Sequence, residues 1–174
     1  YVGSNDGLLH GFSAGSYDQG GTVYDSSTNT GQEVLAFMPK GVLKTIHNAT
    51  NAQIDYSNPQ YGHNFFVDAT PGTGDLFYGG TWHSWLVGGL GPGGAELYAL
   101  DVTDPTTFTE GNSSSLVIGD WTPSSIICTS TSTGTASNAN CGNSSGKSNL
   151  GNTYGTPQIR RLHDGDWAVI FGNG

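Results

Sequence analysis

The sequence predicts an all-β fold, a partial β-propeller built from four-stranded antiparallel blades. Three observations predict it. Strand-like segments recur with a period of about 85 residues, the composition suits short strands joined by tight turns, and the recurring segments alternate apolar and polar residues.

The repeat comes first, because it sets the organisation of the whole chain. YVGSNDG at the start, LVGGLGPGG in the middle and IFGNG at the end share a pattern, and their glycines Gly3, Gly88 and Gly172 lie 85 and 84 positions apart. LLHGFSA (8–14) answers ELYALDV (96–102), and EVLAFMP (33–39) answers VIGDWTP (117–123). DATP (68–71) answers YGTP (154–157), and WHSWLVGG (82–89) answers DWAVIFGN (166–173). Four matching elements per period describe a four-stranded antiparallel sheet, and such a sheet recurring along a chain describes a propeller blade. The period is about twice that of a compact blade. The extra length falls at 15–32, 40–62 and 124–152, read as loops on the rims.

Residues 1–39 are accordingly expected to hold strands two to four of one blade, and 63–123 a complete blade, its HNFFVDATP strand beginning at His63. Residues 124–152 form a low-complexity loop, and 153–174 start the next blade. Closed propellers need roughly four to eight blades, so the chain is expected to be a fragment of a larger ring, about two blades of it, with unpaired sheet edges.

Composition agrees. Glycine accounts for 28 of 174 residues and charged residues for only 11%, against roughly 25% in an average domain. Tight turns use glycine and asparagine because these tolerate positive φ. The net charge of −9, with only five Lys and Arg, argues against a nucleic-acid partner, which requires cations to displace phosphate counterions. No stretch of about 20 apolar residues is present to span a bilayer as a helix.

The residues able to carry chemistry read as structural. Trp82, Trp85, Trp121 and Trp167 fall in or beside strands and are expected to pack between blades; a carbohydrate-stacking platform is the alternative. The five histidines show no i,i+2 or i,i+4 pairing of the kind a metal site uses. Asp101 and Asp104 in LDVTDP, and Asp164 and Asp166 around Gly165, read as turn chemistry. SNDG and GLGPGG lie between strands and are expected to be hairpin loops, not phosphate cradles. No catalytic, cofactor-binding or metal-binding residue is assigned. Cys128 and Cys141, thirteen positions apart in a polar loop, suit a disulfide in an oxidising compartment; two unrelated thiols are the other reading.

YVGSNDGLLHGF, GQEVLAFMPKGVL, HNFFVDATP, WLVGGLGPGGAELYALDVTDP and LGNTYGTPQIRRLHDGDWAVIFGNG together span nearly the whole chain. In these stretches the sequence resembles the C-terminal, quinoprotein-like propeller of the PilC/PilY family, tip-associated adhesin and assembly factors of bacterial type IV pili. The resemblance implies a non-enzymatic protein that supports pilus assembly, surface attachment and twitching motility. It implies minor pilins, the pilus tip, other blades of the same chain and a host or surface receptor as partners, and a cell-surface, pilus or outer-membrane location reached through the periplasm. Family members often carry a calcium loop beyond the FGNG motif, so calcium is expected downstream and no cofactor is assigned within residues 1–174. Two alternatives share the fold. A quinone-cofactor dehydrogenase commonly has a vicinal cysteine pair, which this sequence lacks; an outer-membrane scaffold or lectin-like propeller would not share YALDVTDP.

Overall fold

The computed structural model describes residues 1–18, 20–126 and 149–174. Cys128 and Cys141, and their expected pairing, lie outside the described residues. The first sheet has the order β1–β2–β5, with β1 at Val2–Gly3, β2 at Leu9–Phe12 and β5 at Glu33–Phe37. Between β2 and β5, a small hairpin of β3 (Ser16–Tyr17) and β4 (Tyr24–Asp25) occupies the stretch expected to be loop. A short helix α1 (Lys40–Thr45) follows.

The second sheet is a meander of β6 (Gly72–Tyr78), β7 (Thr81–Gly89), β8 (Leu97–Asp101) and β9 (Val117–Trp121), all antiparallel. The third is the hairpin of β10 (Gln158–Arg161) and β11 (Trp167–Ile170). The turn from β6 to β7 is Gly79-Gly80, with φ of 61° and 87°. A two-residue hairpin loop of this hand needs positive φ at both positions, which glycine adopts without a Cβ penalty.

The second sheet is buried on both faces, and the strand alternation shows how. Leu86, Tyr98 and Leu100 point into a core shared with Leu9, Leu35, Val42, Phe66 and Val67. Their neighbours Val87 and Ala99 point the other way, into a core with Leu76 and Ile159. Successive residues from Leu97 to Leu100 of β8 are therefore all buried, and LYAL reads as a continuous apolar run. Trimming Ile159 of β10 to valine should cost about 0.5–1.5 kcal/mol. A shift in urea midpoint at unchanged slope would show that the third sheet unfolds together with the second.

One expected strand is absent. HNFFVDATP contains no strand, and β6 begins only at Gly72. The segment is instead a strap between the first two sheets. Phe66 N–H donates to Asn5 Oδ1 (3.0 Å), Val67 N–H to the Ser4 carbonyl (3.3 Å) and Asp68 N–H to the Leu90 carbonyl (3.2 Å). Phe66 and Val67 of its apolar run are buried by the neighbouring sheets without ladder pairing, while Phe65 is exposed.

Candidate functional site

The feature that most distinguishes this chain is the seam where consecutive sheets meet. Three of its glycines are closed in by backbone or side chain of another segment. A Cβ on Gly3 would lie 2.3 Å from the Val67 carbonyl oxygen, and one on Gly93 1.9 Å from that of Phe66. On Gly89 it would meet Thr153 Oγ1 at 2.3 Å. Thr153, fully buried, stitches the third sheet's lead-in to the second sheet. It accepts from Leu90 N–H at Oγ1 (2.9 Å), donates from Oγ1 to the Glu96 carbonyl (2.8 Å), and accepts from Gly91 N–H at its own carbonyl (3.1 Å). Gly88 serves differently: it lies across the ladder from Tyr98, whose ring covers it. The repeated glycines at 3 and 88 thus have a steric reason, whereas Gly172 has open space around it.

Beside this seam sits a buried carboxyl pair. Helix α1 begins after Pro39, which supplies no side-chain cap, so its first N–H groups must find acceptors elsewhere. The second sheet provides them. Lys40 N–H donates to Asp120 Oδ2 (2.7 Å), and Gly41 N–H donates to the Glu96 carboxyl. Glu96 is 1% exposed. Burial, and then its hydrogen bond with Asp120, pushes its carboxyl up to about 8. Glu96 Oε1 and Asp120 Oδ1 are both buried without an N–H or O–H donor. A proton held by Glu96 and donated to Asp120 satisfies both atoms at once. The pair is a clasp, joining the first sheet's trailing helix to the second sheet through residues about 80 positions apart.

The histidines are dispersed, and His10, His47, His63 and His83 each stand beside their own carboxylate or ring. His10 contacts Asp6 (2.9 Å) and Glu33, and its ring is held above its ordinary value chiefly by the bond to Glu33. His47 meets Asp55 and His83 meets Asp101. His63 stacks edge-on against Phe65. Among the described residues no three His, Cys, Asp or Glu side chains gather as a metal site.

Asp101 and Asp104 do the turn work expected of them. Asp101 Oδ1 accepts from Thr103, and Asp104 Oδ1 accepts from Thr106 N–H (3.0 Å) to cap a 3₁₀ turn at Pro105–Thr107. The GLGPGG loop closes as a 3₁₀ turn at Gly91–Gly93 between β7 and β8, and HDGDW closes the β10–β11 hairpin.

The tryptophans divide. Trp85, Trp121 and Trp167 pack against the second core, as expected. Trp82 does not: its side chain is 62% exposed at the β6–β7 hairpin, flanked by Phe77 across the ladder. The reason is position, since Trp82 stands three places before Trp85 on β7 and so faces away from the second core, at the open end of the hairpin. Sequence reasoning also missed Glu96 and Asp120, because one directly precedes β8 and the other stands in β9, with no local motif at either.

Comparison with known proteins gives a consistent picture. A family model described as the PilY1 beta-propeller domain matches residues 1–174. A type IV pilus biogenesis factor PilY1 of Pseudomonas aeruginosa is 36% identical over 174 residues, covering 100% of this chain and 11% of that protein. A PilY1 homolog of Xylella fastidiosa is 34% identical over the same length, covering 9% of that protein. The crystal structure of the Pseudomonas aeruginosa PilY1 C-terminal domain matches all of this chain and 24% of its own, at 30% identity and a TM-score of 0.56. The chain therefore spans about a tenth of the length of these curated relatives.

Proposed function

The chain belongs to the PilY1 β-propeller family, and from that membership we propose that it forms part of the propeller of a non-enzymatic type IV pilus biogenesis factor acting at the pilus tip. The observation that carries this reading is the family match over the full 174 residues. The three sheets are then successive blades of a larger, quinoprotein-like ring: strands two to four of one blade, all four of the next, and the first two of a third. The doubly buried second sheet supports that assignment, because a blade inside a ring has a neighbour on each face.

In this reading the segment works as a rigid scaffold. Its glycine seams and its Glu96–Asp120 clasp fix the angle between blades, while rim loops carry contacts. Minor pilins at the pilus tip are the partners, with a receptor on a host or surface, and the protein acts on the cell surface after passing through the periplasm. Attachment and twitching motility follow from the pili it helps to assemble.

Deleting the gene that encodes the chain is the test. Surface pilin recovered by shearing is expected to fall sharply and to return when the intact gene is restored. Normal piliation and twitching in the deletion strain would overturn the proposal.

A further inference from the structure

Trp82 and Leu116 give a cleft of about 430 Å³ its apolar surface, and several polar side chains stand among its other walls. His83, Asp101, Asp104, Asn112 and Ser115 line it. That volume falls within the range of small-molecule sites, which pair an apolar surface with a few fixed polar groups. We propose that this cleft binds a neutral pyranoside, whose apolar ring face stacks on the Trp82 indole while its hydroxyls bond to the polar wall.

The geometry is organised in advance of any ligand. Tyr78 stacks on the His83 ring with centroids 3.9 Å apart, and Asp101 Oδ2 lies 3.1 Å from His83 Nδ1, so the imidazole is clamped from two sides. Asp104 lines the cleft and commits Oδ1 to Thr106, while its second oxygen makes no hydrogen bond among the described residues. Asn112 Nδ2 donates to the Thr107 carbonyl (3.0 Å), which fixes the carboxamide with its oxygen available as an acceptor. Groups fixed in this way lose little entropy when a ligand arrives. A sugar offers what they require, hydroxyls that both donate and accept, on a ring whose C–H face suits an indole.

Charge decides which sugar. Two carboxylates face the cleft, and the hydrogen bonds from Thr106 hold the Asp104 carboxyl below its usual range. With a chain of net charge −9, uronates and other acidic sugars are repelled, whereas neutral hexosides are not.

The inference stands apart from the pilus reading, because it is scored by ligand binding and not by piliation. The test uses the intact protein that carries this chain. Methyl β-glucopyranoside, methyl β-galactopyranoside, an N-acetylglucosamine tetramer and a galacturonate tetramer are titrated by calorimetry. A glycan array with bacterial exopolysaccharide fragments in one arm and animal cell-surface glycans in the other distinguishes the source. At least one neutral probe is expected to bind and the galacturonate to fail. Trp82→Ala should weaken binding by about tenfold, with Trp82→Phe closer to wild type. Ser115→Ala, on the opposite wall, should weaken it as well. Tyr17→Ala, an exposed aromatic on the separate β3–β4 hairpin, should leave it unchanged. Failure of every neutral probe at millimolar concentration, or binding that Trp82→Ala leaves intact, would overturn the proposal.

Discussion

Gly93→Ala is expected to destabilise the propeller by about 1–3 kcal/mol, and by more if the strap cannot shift. The added Cβ would sit 1.9 Å from the Phe66 carbonyl oxygen and within 2.8 Å of the Phe66 Cα. Backbone cannot rotate out of the way as the end of a long side chain can. Phe66 is itself fully buried in the core between the first two sheets. Relief of the clash must therefore move the strap and loosen the packing of Leu9, Leu86 and Tyr98 around it. Gly111 supplies the control: a Cβ there meets nothing within 4 Å, so Gly111→Ala should stay within about 0.5 kcal/mol of wild type. Urea midpoints of the intact propeller domain carrying each change would decide. Equal midpoints for the two variants would refute the close approach at the seam.

Glu96→Gln tests the clasp through its pH dependence. The folded-state value of the Glu96 carboxyl is raised from 4.5 to about 8, first by burial and then by its bond to Asp120. The folded protein therefore holds a proton that the unfolded chain releases. The stability tied to this group is fully present below the ordinary carboxylate value and is lost as pH rises through about 8. Glutamine is neutral throughout; its N–H₂ can donate to Asp120 while its oxygen accepts from Gly41 N–H. The variant should match wild type near about pH 5 and exceed it near about pH 9. Glu96→Ala strands the Gly41 N–H and an Asp120 oxygen, and should cost about 1–3 kcal/mol near about pH 5 and less near about pH 9, where the wild-type carboxyl has lost its proton.

Other groups shape the same curve. His10, raised mainly by Glu33, adds stability that is likewise lost as pH rises through its elevated value. Asp6 and Asp101 act oppositely. Burial pushes each up, but hydrogen bonds, chiefly from Leu8 N–H and Thr103 respectively, hold both below 3.8, so their contribution is lost as pH falls through those lowered values. Thermal stability should therefore peak on the acid side of neutrality. A melting profile that rose steadily to pH 9 would contradict the protonated clasp.

Much of the candidate site's framework was legible in the residues. The repeated segments ELYALDV and WHSWLVGG marked β8 and β7, and the Asp-Val-Thr-Asp-Pro sequence marked the turn after Asp101, because both signals are written within a few residues. HNFFVDATP misled for a physical reason: an apolar strap buried between sheets has the same composition as a strand, although it joins no ladder. Trp82 misled in the opposite sense. It shares β7 with Trp85, but three positions along a strand put the two rings on opposite faces, and only Trp85 lies over the second core.

The amino-acid sequence alone determined the class of fold, the placing of most strands and turns, and the family, since period-two alternation, glycine turns and an 85-residue repeat are written locally along the chain. Tertiary structure alone decided which glycines face another backbone, that Glu96 and Asp120 share one buried space with the start of α1, and that a single tryptophan is left in solvent beside a cleft. Those facts join residues from 24 to about 80 positions apart. They exist only once the sheets have stacked, because contact and desolvation depend on neighbours in space and not on neighbours in sequence.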